Sequence, residues 1–93
     1  MKLPKTVLVA GKRIKVKVLD LEDFGSYHHD LGEIRINKDL LKDQIELWST
    51  FRHELTHCAL AMGGLSHSEH YEEESIIRCL DNLFWPVWNT LTS

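Results

Sequence analysis

The chain has few of the features that mark exported, membrane-spanning or disulfide-stabilised proteins. Only two cysteines, Cys58 and Cys79, occur among its 93 residues, which argues against a disulfide framework, and neither has the spacing of a zinc knuckle. Residues 1–5 contain no apolar signal region, and no apolar run is long enough to span a bilayer. We therefore expect a cytoplasmic protein without a membrane segment.

Internal repeats, low-complexity tracts and interdomain linkers are also missing from the sequence. This predicts a single domain over residues 1–93. One core is possible at this length, but it is modest.

The charges give no strong sign of a nucleic-acid partner. Eleven basic and fourteen acidic residues leave a net charge of −3. Basic residues cluster in the first third of the chain, but Lys15 and Lys17 alternate there with Ile14, Val16 and Val18. Such alternation is typical of a half-buried strand with a solvated basic face, so we expect no nucleic-acid partner.

The pattern of apolar residues predicts an α+β fold. Strands are predicted over residues 6–10, 13–19 and 31–37, with a tight turn at Gly11 and a loop over residues 20–30. A capping box at residues 43–46 begins a first helix, and Gly63-Gly64 ends it. A second capping box at residues 66–69 begins a last helix that runs to about residue 91, where Pro86 should kink it. We expect a small twisted three-stranded sheet that packs against the first helix.

The most informative motif is His53-Glu54-Leu55-Thr56-His57, in the first helix. Helical positions i and i+4 lie one turn apart on one face, so both imidazoles can bind one metal ion. Glu54 lies beside the pair, where a carboxylate can take a proton from a water that zinc has made acidic. The apolar residues of this helix form one stripe: Trp48, Phe51, Leu55, Cys58, Ala59 and Met62. The two histidines project from roughly the opposite side of the helix.

A catalytic zinc site needs a third protein ligand and an open fourth position. A histidine six residues after the motif would be one solution, but Gly63 stands there. On a helical wheel of the last helix, Glu73 falls near the centre of the apolar face, where a carboxylate is costly unless something such as a metal satisfies it. Glu73 is therefore the predicted ligand. Glu72 and Glu74, which flank it and suit a helix's first turn, and His70 remain alternatives.

A family resemblance depends on three elements in order. These are the strand Gly32–Asn37, the motif with small apolar residues after it, and Glu73-Glu74-Ser75-Ile76-Ile77 at the start of the last helix. Over residues 5–91 the chain resembles a minimal gluzincin-type metallopeptidase domain of the ImmA/IrrE-like group, particularly the small versions encoded by phages and prophages. The resemblance implies Zn²⁺ as cofactor, with His53, His57 and Glu73 as ligands and Glu54 as general base.

The predicted function is a zinc-dependent peptidase that acts on a peptide or protein. The alternative is a non-catalytic protein-binding module of phage origin that keeps zinc for structural reasons, and a closed four-ligand site would favour it. A phage origin would place the protein in the host cytoplasm. The sequence does not predict an oligomeric state.

Two further expectations concern the substrate. We expect an extended peptide to add itself to a sheet edge at the strand Gly32–Asn37, because this strand immediately precedes the metal helix. Tyr27 and His28 are candidates to stabilise an oxyanion across the cleft. The sequence favours a polar, histidine-rich loop as the interpretation of those two residues.

Overall fold

Four strands form one mixed sheet in the order β1-β2-β4-β3. The computed structural model describes residues 2–63 and 70–92, with the backbone alone for residues 70–72 and 92. The strands are β1 (Thr6–Val9), β2 (Lys12–Leu19), β3 (Gly25–His28) and β4 (Glu33–Asn37). β1 is antiparallel to β2, β2 is parallel to β4, and β3 is antiparallel to β4. Within the described ranges, β1 and β3 are therefore the edges and β4 is an inner strand.

Tight turns join the two antiparallel pairs. Ala10 and Gly11 both have positive φ, at 51° and 80°, as a two-residue type I′ turn requires. Between β3 and β4, the N–H of Gly32 donates to the carbonyl of His29 at 3.3 Å, and Gly32 has a φ of 61°. Gly32 is thus a turn residue, which suits the left-handed conformation because it has no Cβ.

The helices follow the sheet in sequence. A 3₁₀ segment (Lys38–Lys42) leads into α1 (Gln44–Met62), and α2 (His70–Cys79), a π-helical stretch (Leu80–Phe84) and α3 (Trp85–Thr92) form the last part of the chain. The side chain of Asp43 caps α1 by accepting from the N–H of Glu46 at 3.1 Å. The π-helical stretch lies directly before Pro86, whose missing N–H disturbs regular helical hydrogen bonding.

The core lies between the sheet and α1. Helix α1 packs on β3 and β4. Its buried residues include Leu47, Phe51 and Cys58, while Ile14, Val16, Ile34, Ile36 and Leu40 complete the cluster. Glu54 belongs to the same buried face of α1, so the buried stripe is rotated from the predicted one toward the second residue of the motif.

The structure confirms the α+β class and corrects the predicted sheet. The sheet has four strands, not three, because residues 25–28 of the predicted loop pair with β4. The predicted docking edge at Gly32–Asn37 is wrong for the same reason: β4 has β2 on one side and β3 on the other. The predicted capping box at residues 66–69 lies outside the described residues.

The last part of the chain is much less buried than its helical wheel predicted. Ile77 of α2 is fully buried, but five of the apolar side chains after it are 48–73% exposed: Leu83, Phe84, Val87, Trp88 and Leu91. The wheel assumed a constant 100° per residue, and the π-helical stretch changes that angle. Among the described helices, none combines the length and the apolar character needed to cross a bilayer.

Candidate metal centre

Both histidines of the motif are held by carboxylates from the last helical segments. Nδ1 of His53 donates to Oδ2 of Asp81 at 2.9 Å, and Nδ1 of His57 donates to Oε1 of Glu73 at 2.6 Å. The ring centroids of the two histidines are 5.1 Å apart. These bonds hold both rings in one orientation and put the remaining lone pair of each neutral imidazole on Nε2.

The Nε2 atoms of both rings lie near a third carboxylate, that of Glu74. Oε1 of Glu74 is 2.8 Å from Nε2 of His57, and Oε2 is 3.8 Å from Nε2 of His53. One ligand atom from each of His53, His57 and Glu74 lies within 4.8 Å of the other two. Two imidazoles and one carboxylate are a ligand set that catalytic zinc uses.

The geometry therefore differs from the predicted ligand set at one residue. Glu73, the predicted ligand, lies on Nδ1 of His57, on the other side of the ring from Glu74. Glu74 was an alternative in the sequence analysis, and its carboxylate is the one that faces both Nε2 atoms. The side chains of the other two alternatives, His70 and Glu72, lie outside the described residues.

The hydrogen bonding of His57 is itself suited to a bound cation. A neutral imidazole has one N–H, yet His57 has a carboxylate oxygen at each ring nitrogen, at 2.6 Å and 2.8 Å. The contact between Nε2 and Glu74 therefore needs a proton or a metal cation between the two groups. A metal ion satisfies the lone pairs of both groups, and the carboxylates on Nδ1 then act as the outer partners that metal-binding histidines usually have.

Glu54 is buried next to this group. Only 9% of the surface of Glu54 is exposed, and burial raises the pKa of its carboxyl group above the usual range for glutamate. Gly25 of β3 allows the strand to approach this helix closely. A Cβ at Gly25 would lie 2.9 Å from Cγ2 of Thr50 and 3.3 Å from Cγ of Glu54. The edge strand is thus in direct contact with the segment that carries the candidate base.

A cleft of about 450 Å³ opens between β3 and the helices. Glu54, both motif histidines, Tyr27 and His29 line it, together with Glu73 and Glu74. Burial, with a hydrogen bond to Cys58, raises the pKa of Tyr27, so its hydroxyl keeps its proton. The oxygen of this hydroxyl lies 2.7 Å from Nδ1 of His29, and this hydrogen bond holds the imidazole ring in the cleft.

Of the two predicted oxyanion candidates, only Tyr27 lines the cleft. His28 bonds to Oγ of Ser26 at 3.0 Å and is not among the lining residues. In β3 successive side chains point to opposite faces, so the neighbours Tyr27 and His28 cannot both face the helix. His29, rather than His28, lies beside Tyr27 in the cleft.

Three site residues were missed in the sequence: Asp81, His29 and Gly25. Asp81 could have been found, since it lies four residues after the buried Ile77 and eight after Glu73 and so shares their helix face. His29 and Gly25 depend on β3, which the sequence analysis treated as loop.

No family model, curated protein or solved structure matches this chain. The interpretation of the site therefore depends on its own geometry and chemistry, and the resemblance to ImmA/IrrE-like metallopeptidases stays a prediction.

Proposed function

We propose that the protein is a zinc-dependent peptidase whose metal ligands are His53, His57 and Glu74. The observation that carries the proposal is the pairing of each histidine's Nδ1 with a carboxylate while both Nε2 atoms face Glu74. Surface histidines would have no need of this arrangement. The revised set keeps two of the three predicted ligands and replaces Glu73 with its neighbour.

Zinc bound there would supply a Lewis acid that polarises a carbonyl and brings the pKa of a coordinated water toward neutrality. The described residues contribute three ligands, which is the number that a catalytic zinc site takes from the protein. Glu73 and Asp81 act as positioning residues, because each fixes the ring and the tautomer of one histidine.

Glu54 is the proposed general base. Its carboxylate takes a proton from the attacking water and later passes the proton to the leaving amine. The raised pKa suits both steps, because a base whose pKa is closer to neutrality can also release its proton. His29, oriented by Tyr27, is the proposed donor to the developing oxyanion.

The proposed substrate is an extended peptide that pairs with β3. The N–H of Asn37 in β4 donates to the carbonyl of Phe24, so the alternation of an antiparallel pair leaves Gly25 and Tyr27 with their N–H and C=O groups on the open side. Pairing there would carry a peptide along the cleft, past Glu54. Main-chain pairing provides affinity and holds the scissile amide extended for attack.

The non-catalytic binding module remains the second candidate. The observation that favours it is the exposed apolar surface on the π-helical stretch and α3, which is typical of a protein contact. In that case zinc would only connect α1 with α2.

The deciding experiment compares the zinc-loaded wild type with Glu54→Gln. The amide keeps the shape of the carboxylate but cannot accept the proton, so cleavage of unfolded proteins, followed by mass spectrometry, should fall by about 10²- to 10⁴-fold. Zinc content and melting temperature are the controls and should not fall. Cleavage by Glu54→Gln at the wild-type rate would exclude Glu54 as base. A wild type that binds zinc and cleaves nothing would favour the binding module.

A further inference from the structure

A second cavity of about 270 Å³ continues the cleft toward the beginning of α1. It shares Gly25, His53 and Glu54 with the main cleft. Its own walls are Phe24, Glu46, Ser49 and Thr50. A peptide that lies along β3 and crosses Glu54 would thus place one of its side chains in this cavity.

The outer wall of this cavity is firmly positioned. Asn37, which is 7% exposed, donates from Nδ2 to the carbonyls of Leu21 and Asp23 at 2.9 Å and 3.0 Å. Its backbone N–H donates to the carbonyl of Phe24 at 2.8 Å. These bonds fix the loop before β3, so Phe24 keeps its place although 57% of its surface is exposed.

The charges around the cavity are mostly negative. Glu46 is half-buried and has no ion-pair partner within residues 2–63 and 73–91. Glu54 is the second carboxylic side chain that lines the cavity, next to His53. The positive end of the α1 dipole is already met by the Asp43 cap. A cationic group in the cavity would therefore be attracted.

We infer that this cavity is a subsite for the side chain of lysine or arginine in the substrate, next to the bond that is cleaved. The exposed ring of Phe24 can cover the aliphatic stem or stack on a guanidinium. Glu46 can accept a charge-assisted hydrogen bond from the cationic end, and the hydroxyls of Ser49 and Thr50 are further acceptors. The inference rests on the proposed peptidase function and specifies its substrate class.

The test uses one extended peptide made in four versions that differ at a single position: arginine, citrulline, lysine and norleucine. Citrulline keeps the size of arginine and removes its charge, and norleucine keeps the four-carbon chain of lysine without the ammonium group. With the zinc-loaded wild type, kcat/KM should be about tenfold higher for each cationic version than for its neutral partner, as hydrogen bonds to a charged group imply. The preference should weaken as salt is added.

The matched variants are Glu46→Gln and Gln44→Lys. Each raises the net charge by one in the first turn of α1, but only Glu46 lines the cavity. Glu46→Gln should reduce the preference for arginine over citrulline to about twofold or less, while Gln44→Lys should keep most of it. Equal kcat/KM values for arginine and citrulline in the wild type, or equal losses in both variants, would overturn the inference.

If the protein is not a peptidase, the subsite can still be tested by measuring peptide binding. If the zinc-loaded protein cleaves none of the four peptides, their Kd values are measured by fluorescence anisotropy with labelled versions. A tenfold tighter Kd for the arginine peptide that disappears in Glu46→Gln would support the subsite without the activity. Equal Kd values for arginine and citrulline peptides would overturn the subsite as well.

Discussion

At the scale of single residues, the site is described by the carboxylate that lies at each ring nitrogen of the two motif histidines. His57 has Glu73 on Nδ1 and Glu74 on Nε2, and His53 has Asp81 on Nδ1 with Glu74 farther from its Nε2. Hydrogen bonds on Nδ1 make the opposite nitrogen the better metal ligand. Glu73 and Glu74 are adjacent in sequence, yet the geometry gives them different roles.

The sequence was sufficient to predict that His53, Glu54 and His57 group together, because their spacing places them on one turn of a helix, and all three line the same cleft. It was not sufficient to choose among the carboxylates. The packing angle of the last helix on α1 could not be predicted, so any of three successive glutamates could have faced the histidines. The burial of Ile77 determines how this helix packs on α1. No sequence pattern distinguished Ile77 from the exposed Ile76 beside it.

Glu33 provides a test of electrostatics away from the site. It is 5% exposed, and hydrogen bonds from Arg35 and then Lys17 hold the pKa of its carboxyl group below the usual range. Because its pKa is lower in the folded state, the ionised carboxyl group stabilises the fold at pH values above its unfolded-state pKa of about 4.3. This stabilisation is lost as the pH falls through the folded-state pKa. Glu33→Gln should therefore reduce the free energy of unfolding at neutral pH by about 1–3 kcal/mol.

Urea unfolding at several pH values measures this effect, with Glu22→Gln as the control because Glu22 is exposed. The difference between wild type and Glu33→Gln should shrink as the pH falls through the lowered pKa of Glu33, because the protonated carboxyl group is neutral like the amide. A difference as large in acid as at neutral pH would show that shape rather than charge is responsible.

At the scale of elements, the predictable parts are those with strong local signals. Alternating apolar residues revealed β1, β2 and β4, and Asp43 and Gly63 bounded α1 within a residue. Strand β3 could not be found in this way, because Gly-Ser-Tyr-His has a single large apolar side chain and follows an acidic loop. It forms because β4 offers it a partner through a tight turn.

The corrected edge gives a prediction about substrate peptides. If a peptide pairs with the open groups of Gly25 and Tyr27, every second amide N–H of the peptide faces β3. N-methylation of an amide that faces the strand removes one hydrogen bond and adds a clash, so kcat/KM should fall by about tenfold or more. Methylation of the neighbouring amides, which face away, is the internal control. Losses that are equal at every position would rule out pairing with this edge.

At the scale of the whole molecule, polar contacts join the helices more extensively than apolar packing does. Of the described side chains in residues 73–91, only Ile77 is a buried apolar one, whereas Glu73, Glu74 and Asp81 all contact the motif histidines of α1. Arg52 adds a contact with the ring of Trp85 at 5.6 Å. A metal bound by both helices would therefore contribute to stability as well as to catalysis.

The most direct test of the account is the zinc affinity of Glu74→Gln beside that of Glu73→Gln, measured by competition with a chelator of known affinity. The two variants change neighbouring residues in the same way, so each is the control for the other. The wild type should bind about one zinc per chain. Glu73→Gln should weaken binding by about 10- to 100-fold, as expected for a positioning residue, and Glu74→Gln should weaken it considerably more. The reverse order would make Glu73 the ligand, and zinc affinity unchanged in both variants would contradict the proposed metal centre.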